Sequence, residues 1–160
     1  MVVIHFNFTY RSGEYQSELR FSLDQPETNI WIRYWLRVPD NFYHNKPPGW
    51  PSNNKLFALW MDDYSSRGYG PSVIWEYDSR HGSELFVHYS EGNKTGAGSH
   101  LQGKPFITYP SDQGRWMQIV YHCKASTQPT SGNGIIEMYR RWSTESTYTR
   151  LHYLTNANIG

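Results

Sequence analysis

The ten residues 29–38, NIWIRYWLRV, alternate between two kinds of side chain along their whole length. Successive side chains of an extended chain point to opposite faces, so one face would carry the mainly aliphatic set Ile30, Ile32, Tyr34, Leu36 and Val38. The other face would carry tryptophan alternating with arginine: Trp31, Arg33, Trp35 and Arg37. This period of two predicts a β-strand with one face against a core.

Similar stretches recur along the chain, whereas helical periodicity is almost absent. Strands are predicted for residues 16–23, 55–61, 72–77, 84–90, 115–125 and 134–142. The intervening segments are rich in Gly, Pro, Asn and Ser, and the longest of them, 41–54 and 90–114, are predicted to be loops. Many short strands separated by turns predict an all-β fold, an antiparallel β-sandwich or jelly roll.

Length and charge set the class of protein. A chain of 160 residues is most simply one domain, 1–160. Its net charge of +1 gives no electrostatic reason to expect a nucleic-acid or membrane-surface partner. The N-terminus lacks a signal-peptide pattern and no stretch is long and apolar enough for a membrane helix, so the compartment stays open, including an extracellular or virion-associated one.

Cofactor and metal motifs are not found in the sequence. Cys123 is the one cysteine, which excludes an intrachain disulfide, and its strand-like neighbours favour a buried, inert thiol over a nucleophile. There is no phosphate-binding glycine loop, no HExxH and no zinc spacing. Asp62, Asp63 and Asp78 lack the spacing of a calcium loop. We therefore expect no metal and no cofactor.

The predicted strand 16–23 contains the first candidate site. Glu18 and Arg20 leave the same face of that strand, with Gln16 beside them. They form either an ordinary surface ion pair or an arginine fixed by its glutamate for pairing with a carboxylate or sulfate. Spacing alone does not decide between the two.

The Trp31, Arg33 and Trp35 face is the second candidate. Indoles can stack on sugar rings while guanidinium groups bind acidic substituents. The alternative is that the tryptophans belong to the core and the arginines extend outward from the strand.

Two histidines and a tyrosine are candidates for proton transfer. His88 and His122 lie in predicted strands and could act as a base, or could be hydrogen-bonded structural residues. Tyr139 shares a face with Glu137 and Arg141, and a tyrosine near an arginine can donate or accept a proton.

Five segments together resemble the concanavalin A-like jelly-roll superfamily, in particular polysaccharide lyases of the alginate, glucuronan and heparin-lyase type. They are SELRF, NIWIRYWLRVPDNF, NNKLFALWMDD, GRWMQIVYHCK and NGIIEMYRRW. The resemblance implies a jelly roll that binds a polysaccharide, including uronic-acid polymers, along a concave sheet. SELR is similar to the arginine motif of alginate lyases, which implies that Arg20, at that position, meets a uronate carboxylate.

An active lyase would need a group that neutralises the carboxylate, a base and an acid. Arg20 with Gln16 could neutralise, His88 or His122 could be the base, and Tyr139 is the preferred acid. Gln16, Glu18, Trp31, Arg33, Trp35 and His122 would then contact the carbohydrate. Related jelly rolls continue past a segment such as LTNANIG into a final strand, whereas this sequence stops at Gly160. The domain is therefore expected to lack a closing strand, or to have it supplied by a protein partner or a second copy.

Three functions follow from these observations. The first is a carbohydrate-recognising jelly roll, and the second is an active lyase on the same scaffold. The third is a structural or virion surface-assembly module that uses the fold for protein contacts without catalysis.

Overall fold

The computed structural model describes residue 23 and residues 25–43, 54–60, 72–78, 84–91, 99–128 and 130–159. The regular elements among these residues are all strands: β1 (Asn29–Arg37), β2 (Asn54–Trp60), β3 (Ser72–Asp78), β4 (Glu84–Tyr89), β5 (Ser99–Pro105), β6 (Trp116–Lys124), β7 (Gly134–Trp142) and β8 (Thr149–Ala157). Within the described ranges, no helix is long and apolar enough to span a membrane.

The strands form two antiparallel four-stranded sheets. The first sheet has the order β1-β6-β7-β8, and the second has the order β2-β3-β4-β5. The predicted all-β fold and antiparallel β-sandwich are thereby confirmed. This strand order does not by itself establish a jelly roll, which stays a prediction.

The inner faces of the two sheets meet in an aromatic core. Trp75 of β3 and Tyr121 of β6 have ring centroids 4.6 Å apart. Phe57 of β2 stacks on the same tyrosine at 4.5 Å. Cys123 lies in this core, 4% exposed, and burial raises the pKa of its thiol, as suits a structural cysteine.

Two strands were not predicted. β5 falls in the predicted loop 90–114, where polar residues, Gly103 and Pro105 weaken the strand signal. β8 interrupts its alternation, because Leu151 and His152 are adjacent and both buried. Its pairing with β7 shifts register at two places, which explains the broken period.

The predicted strand 16–23 lies outside the described residues except at Leu23. Its candidate residues Gln16, Glu18 and Arg20 therefore have no structural account here. A closing strand beyond β8, whether missing or supplied by a partner, likewise stays a prediction.

Candidate functional site

The outer face of the first sheet exposes the tryptophans of β1. Trp31 is 58% and Trp35 43% exposed, and Arg33 between them is also exposed. The alternative that these indoles belong to the core is wrong. The opposite face of β1 supplies the core residues instead, among them Tyr34 and Leu36.

Strand pairing places the residues of three strands in rows across this face. In one row, Trp31 of β1 pairs with His122 of β6, which pairs with Glu137 of β7. In another, Trp35 of β1 pairs with Gln118 of β6, which pairs with Arg141 of β7. The row between them runs through Arg33, Val120 and Tyr139. An open groove of about 590 Å³ lies here, lined by Trp31, Ile32, Arg33, Val120, Tyr139 and Tyr148. We call it the outer groove.

His122 lies beneath Trp31 rather than free in the groove. The two rings stack with centroids 3.8 Å apart and planes 8° from parallel. His122 is only 6% exposed. Its Nδ1 lies 2.6 Å from Glu137 Oε2, and its Nε2 lies 2.8 Å from Asn29 Oδ1. With both nitrogens engaged, His122 supports the indole and has no free nitrogen to act as a base.

Tyr139 joins the same hydrogen-bond chain from the other wall of the groove. Its hydroxyl donates to Glu137 Oε1 at 2.8 Å, so one carboxylate binds both Tyr139 and His122. Partial burial and Glu137 raise the pKa of Tyr139, and Arg150 opposes them. The phenol is therefore kept protonated, which suits a proton donor and not a base.

A second cluster borders the outer groove. Arg141 Nη2 donates to Gln118 Oε1 at 3.2 Å, and the hydroxyl of Tyr148 donates to the same oxygen. The Arg141 guanidinium lies 5.8 Å from the ring centroid of Trp35 and 5.2 Å from that of Tyr148. The groove thus has an aromatic and cationic border on two sides.

His88 lies on the other side of the molecule. Its neighbours Leu85 and Val87 point into the core, so His88 faces outward from the second sheet. Its Nε2 lies 3.0 Å from Glu76 Oε2, and this bond raises its pKa while partial burial opposes the shift. His88 and Tyr139 occupy opposite outer faces of the sandwich, so one site cannot contain both.

Several residues of the groove and its surroundings were missed by sequence reasoning. Tyr148 lies outside the predicted strands, and Asn29 lies on the Trp31 face of the quoted stretch without having been singled out. The partnership of Glu137 with His122 needs the register of β6 with β7. Gln118 had a usable signal, because it lies on the His122 face four residues earlier. Among the described residues, no group of three or more His, Cys, Asp or Glu side chains is placed to hold a metal ion.

Comparison with known proteins gives no match to a protein-family model, a curated protein or a solved structure. The similarity to polysaccharide lyases therefore depends on the sequence segments quoted above and stays a prediction.

Proposed function

We propose that this protein binds a polysaccharide along the outer face of its first sheet. The observation that carries the proposal is the pair of exposed indoles, Trp31 and Trp35, with Arg33 between them at the wall of the outer groove. Large exposed aromatic patches on a folded domain generally mark a binding surface. Sugar rings present apolar faces that match flat aromatic platforms, with hydroxyl groups at the edge for polar contacts.

The spacing of the two indoles suits an extended polymer. Trp31 and Trp35 are four residues apart on one strand, which corresponds to about 13 Å. Trp31 is held by the stack on His122, so little side-chain freedom is lost when a ligand binds there. A pre-ordered platform of this length supports binding to a chain of sugars more than to one small sugar.

The phenol of Tyr139 in the lining of the outer groove favours β-elimination as a second candidate function. In such a reaction a base removes the proton next to the uronate carboxylate, a carbon–carbon double bond forms, and the bond to the leaving oxygen breaks. The Tyr139 phenol would protonate that oxygen. The described residues provide no matching base in the groove, since His122 is engaged and His88 lies on the other face. Binding is therefore better supported than cleavage.

The proposal is tested by removing the platforms. The protein is first tested for binding to a panel of alginate, glucuronan, heparin and a neutral dextran. For any polysaccharide that binds, Trp31→Ala and Trp35→Ala should each weaken the affinity by about tenfold or more, because each removes a stacking surface. Isothermal titration calorimetry gives the affinities. Tyr109→Ala, which removes an aromatic residue 51% exposed in the loop after β5, is the matched control and should bind as the unchanged protein does.

Two results would oppose the proposal. Binding to none of these polymers would favour the structural or assembly module, and equal binding by the Trp31 variant would move the site elsewhere. The lyase candidate is tested separately, by the ultraviolet absorbance of unsaturated products during incubation with the uronate polymers. No rise in absorbance excludes cleavage of those polymers and leaves the binding proposal intact.

A further inference from the structure

Arg141 of β7 carries a positive charge that no carboxylate of the described residues neutralises. Its recorded contacts are the hydrogen bond to Gln118 Oε1 at 3.2 Å and the nearby rings of Trp35 and Tyr148. The carboxylate on this face, Glu137, already binds His122 and Tyr139. The guanidinium therefore keeps hydrogen-bond donors in excess of its partners.

The position of the Arg141 guanidinium is fixed by a buried glutamine. Gln118 is 8% exposed, and its Oε1 accepts from both Arg141 and the Tyr148 hydroxyl. Arg141 Nε is buried and has no hydrogen-bond partner among the described residues. Unpaired donors on a charged group are costly, so an acceptor bound to the remaining N–H groups would stabilise the guanidinium.

Two arginines at the end of the first sheet, in contrast to Arg141, are paired with carboxylates. Arg37 at the end of β1 binds both carboxylate oxygens of Asp40, at 2.9 and 2.8 Å. Arg115, just before β6, pairs with Asp112 at 2.5 Å. Arg33 in the groove wall, like Arg141, has no ion pair with a described residue. Among the described residues, Arg37 and Arg115 are thus paired with carboxylates at the end of the sheet, whereas Arg33 and Arg141 beside the groove are not.

We propose that Arg141 forms an oxyanion subsite at the border of the outer groove, for a carboxylate, sulfate or phosphate group. A guanidinium is planar and can bind such a group with two parallel hydrogen bonds, which a lysine ammonium cannot do. Arg33 adds a second positive charge in the neighbouring row. That the oxyanion is a substituent of a polysaccharide depends on the proposed function, whereas occupancy by a free oxyanion does not.

The first experiment uses free anions. Sodium sulfate and sodium phosphate are titrated into the full chain at constant ionic strength, set with chloride, and binding is followed by two-dimensional NMR of the arginine side chains. Arg141→Gln should raise the dissociation constant at least about tenfold, because charge-assisted bonds are lost. Arg141→Lys keeps the charge but should also lose most of the affinity for sulfate and phosphate, because an ammonium group cannot form two parallel hydrogen bonds to one anion.

The matched control is Arg37→Gln, which removes a charge of the same sign from the same face where it is already neutralised by Asp40. It should change the dissociation constant by less than about twofold. Equal losses in the Arg37 and Arg141 variants, or unchanged affinity in either Arg141 variant, would overturn the subsite. If Arg141→Gln does not fold, Tyr148→Phe loosens the support through Gln118 and should weaken anion binding about threefold; no change would count against the proposal.

The second experiment separates this inference from the proposed function. Alginate and heparin are compared with neutral dextran, using the Trp31→Ala and Arg141→Gln variants. If Arg141→Gln loses binding to alginate and heparin but keeps binding to dextran, the oxyanion that Arg141 binds is a substituent of the polysaccharide. Sulfate binding that depends on Arg141, without binding of any polymer, supports the subsite and overturns the polysaccharide. Polymer binding that depends on Trp31 but is unchanged in Arg141→Gln supports the polysaccharide proposal and overturns the oxyanion subsite.

Discussion

Three histidines show how surroundings decide the chemistry of one residue type. His88 is partly exposed and its pKa is raised by Glu76. His122 is clamped between Glu137 and Asn29 beneath an indole. His152 on β8 is 2% exposed and lies close to the backbone of Leu85 and Gln102. Only the fold distinguishes the three.

Burial lowers the pKa of His152 from 6.5 to about 4. The backbone near Gln102 and Leu85 partly favours the charged ring, and Lys104 of β5 opposes it. As pH falls below 6.5, the unfolded chain takes up a proton that the folded chain does not accept. The contribution of His152 to stability is therefore complete above 6.5 and is lost progressively down to about 4.

We predict that this loss is on the order of 3 kcal/mol of unfolding free energy. Urea unfolding at a series of pH values between these limits measures it. His152→Leu should flatten the dependence on pH, because it removes the ring that the folded chain keeps neutral. The idea fails if the His152 variant retains the slope of the unchanged protein.

Among the described strands, β1 and β8 lie at opposite ends of the first sheet, and their sequences specify them differently. β1 alternates without a break over nine residues, and its exposed and inward faces follow that alternation. β8 pairs with β7 through two register shifts. Its path depends on Gly134 at the start of β7, where the two strands approach closely.

A side chain at Gly134 would clash with β8 and the segment after it. A Cβ there would lie 2.8 Å from the carbonyl oxygen of Ala157 and 2.9 Å from Ile159 Cγ1. We predict that Gly134→Ala destabilises the protein by about 1–3 kcal/mol, because a backbone carbonyl cannot move aside cheaply. Chemical denaturation gives the value, with Thr147→Ala in the exposed turn before β8 as control. Equal stability of both variants would show that β8 shifts to accommodate the methyl group.

At the scale of the whole molecule, the two sheets are joined by aromatic contacts through the core. Trp75 of the second sheet is fully buried and packs against Tyr121 of the first. Cys123, two residues from Tyr121, is buried in the same layer. The reactivity of the Cys123 thiol, on the first sheet, therefore depends on how well Trp75 of the second sheet packs against that layer.

We predict that Trp75→Ala destabilises the protein by about 3–5 kcal/mol and speeds the reaction of Cys123 with a thiol reagent. The substitution leaves a cavity on the second sheet, whereas Cys123 lies on the first. A faster reaction of Cys123 would therefore mean that the two sheets open together. Trp116→Ala, which removes an indole 40% exposed, should leave the reaction rate of Cys123 nearly unchanged. A destabilised Trp75 variant with an unreactive thiol would contradict this cooperativity.

Much of the fold and part of the candidate site were predictable. Alternation identified β1, because a strand with one buried face imposes a period of two on its own residues. Strand length and a high content of apolar, β-branched and aromatic residues identified β2, β3, β4, β6 and β7. Alternation also put Trp31, Arg33 and Trp35 on one face. Parity alone could not say which face is buried, since indoles suit a core as well as a surface.

Which residues share a strand face can be read from one segment, because it follows from local backbone geometry. The stack of Trp31 on His122, the binding of Glu137 to His122, the support of Arg141 by Gln118 and the position of His88 on the other sheet could be learned only from the folded molecule. These relations depend on strand register, on the facing sheet and on residues that are far apart in the chain. The energy that selects them comes from burial of the whole core, to which no single segment has access.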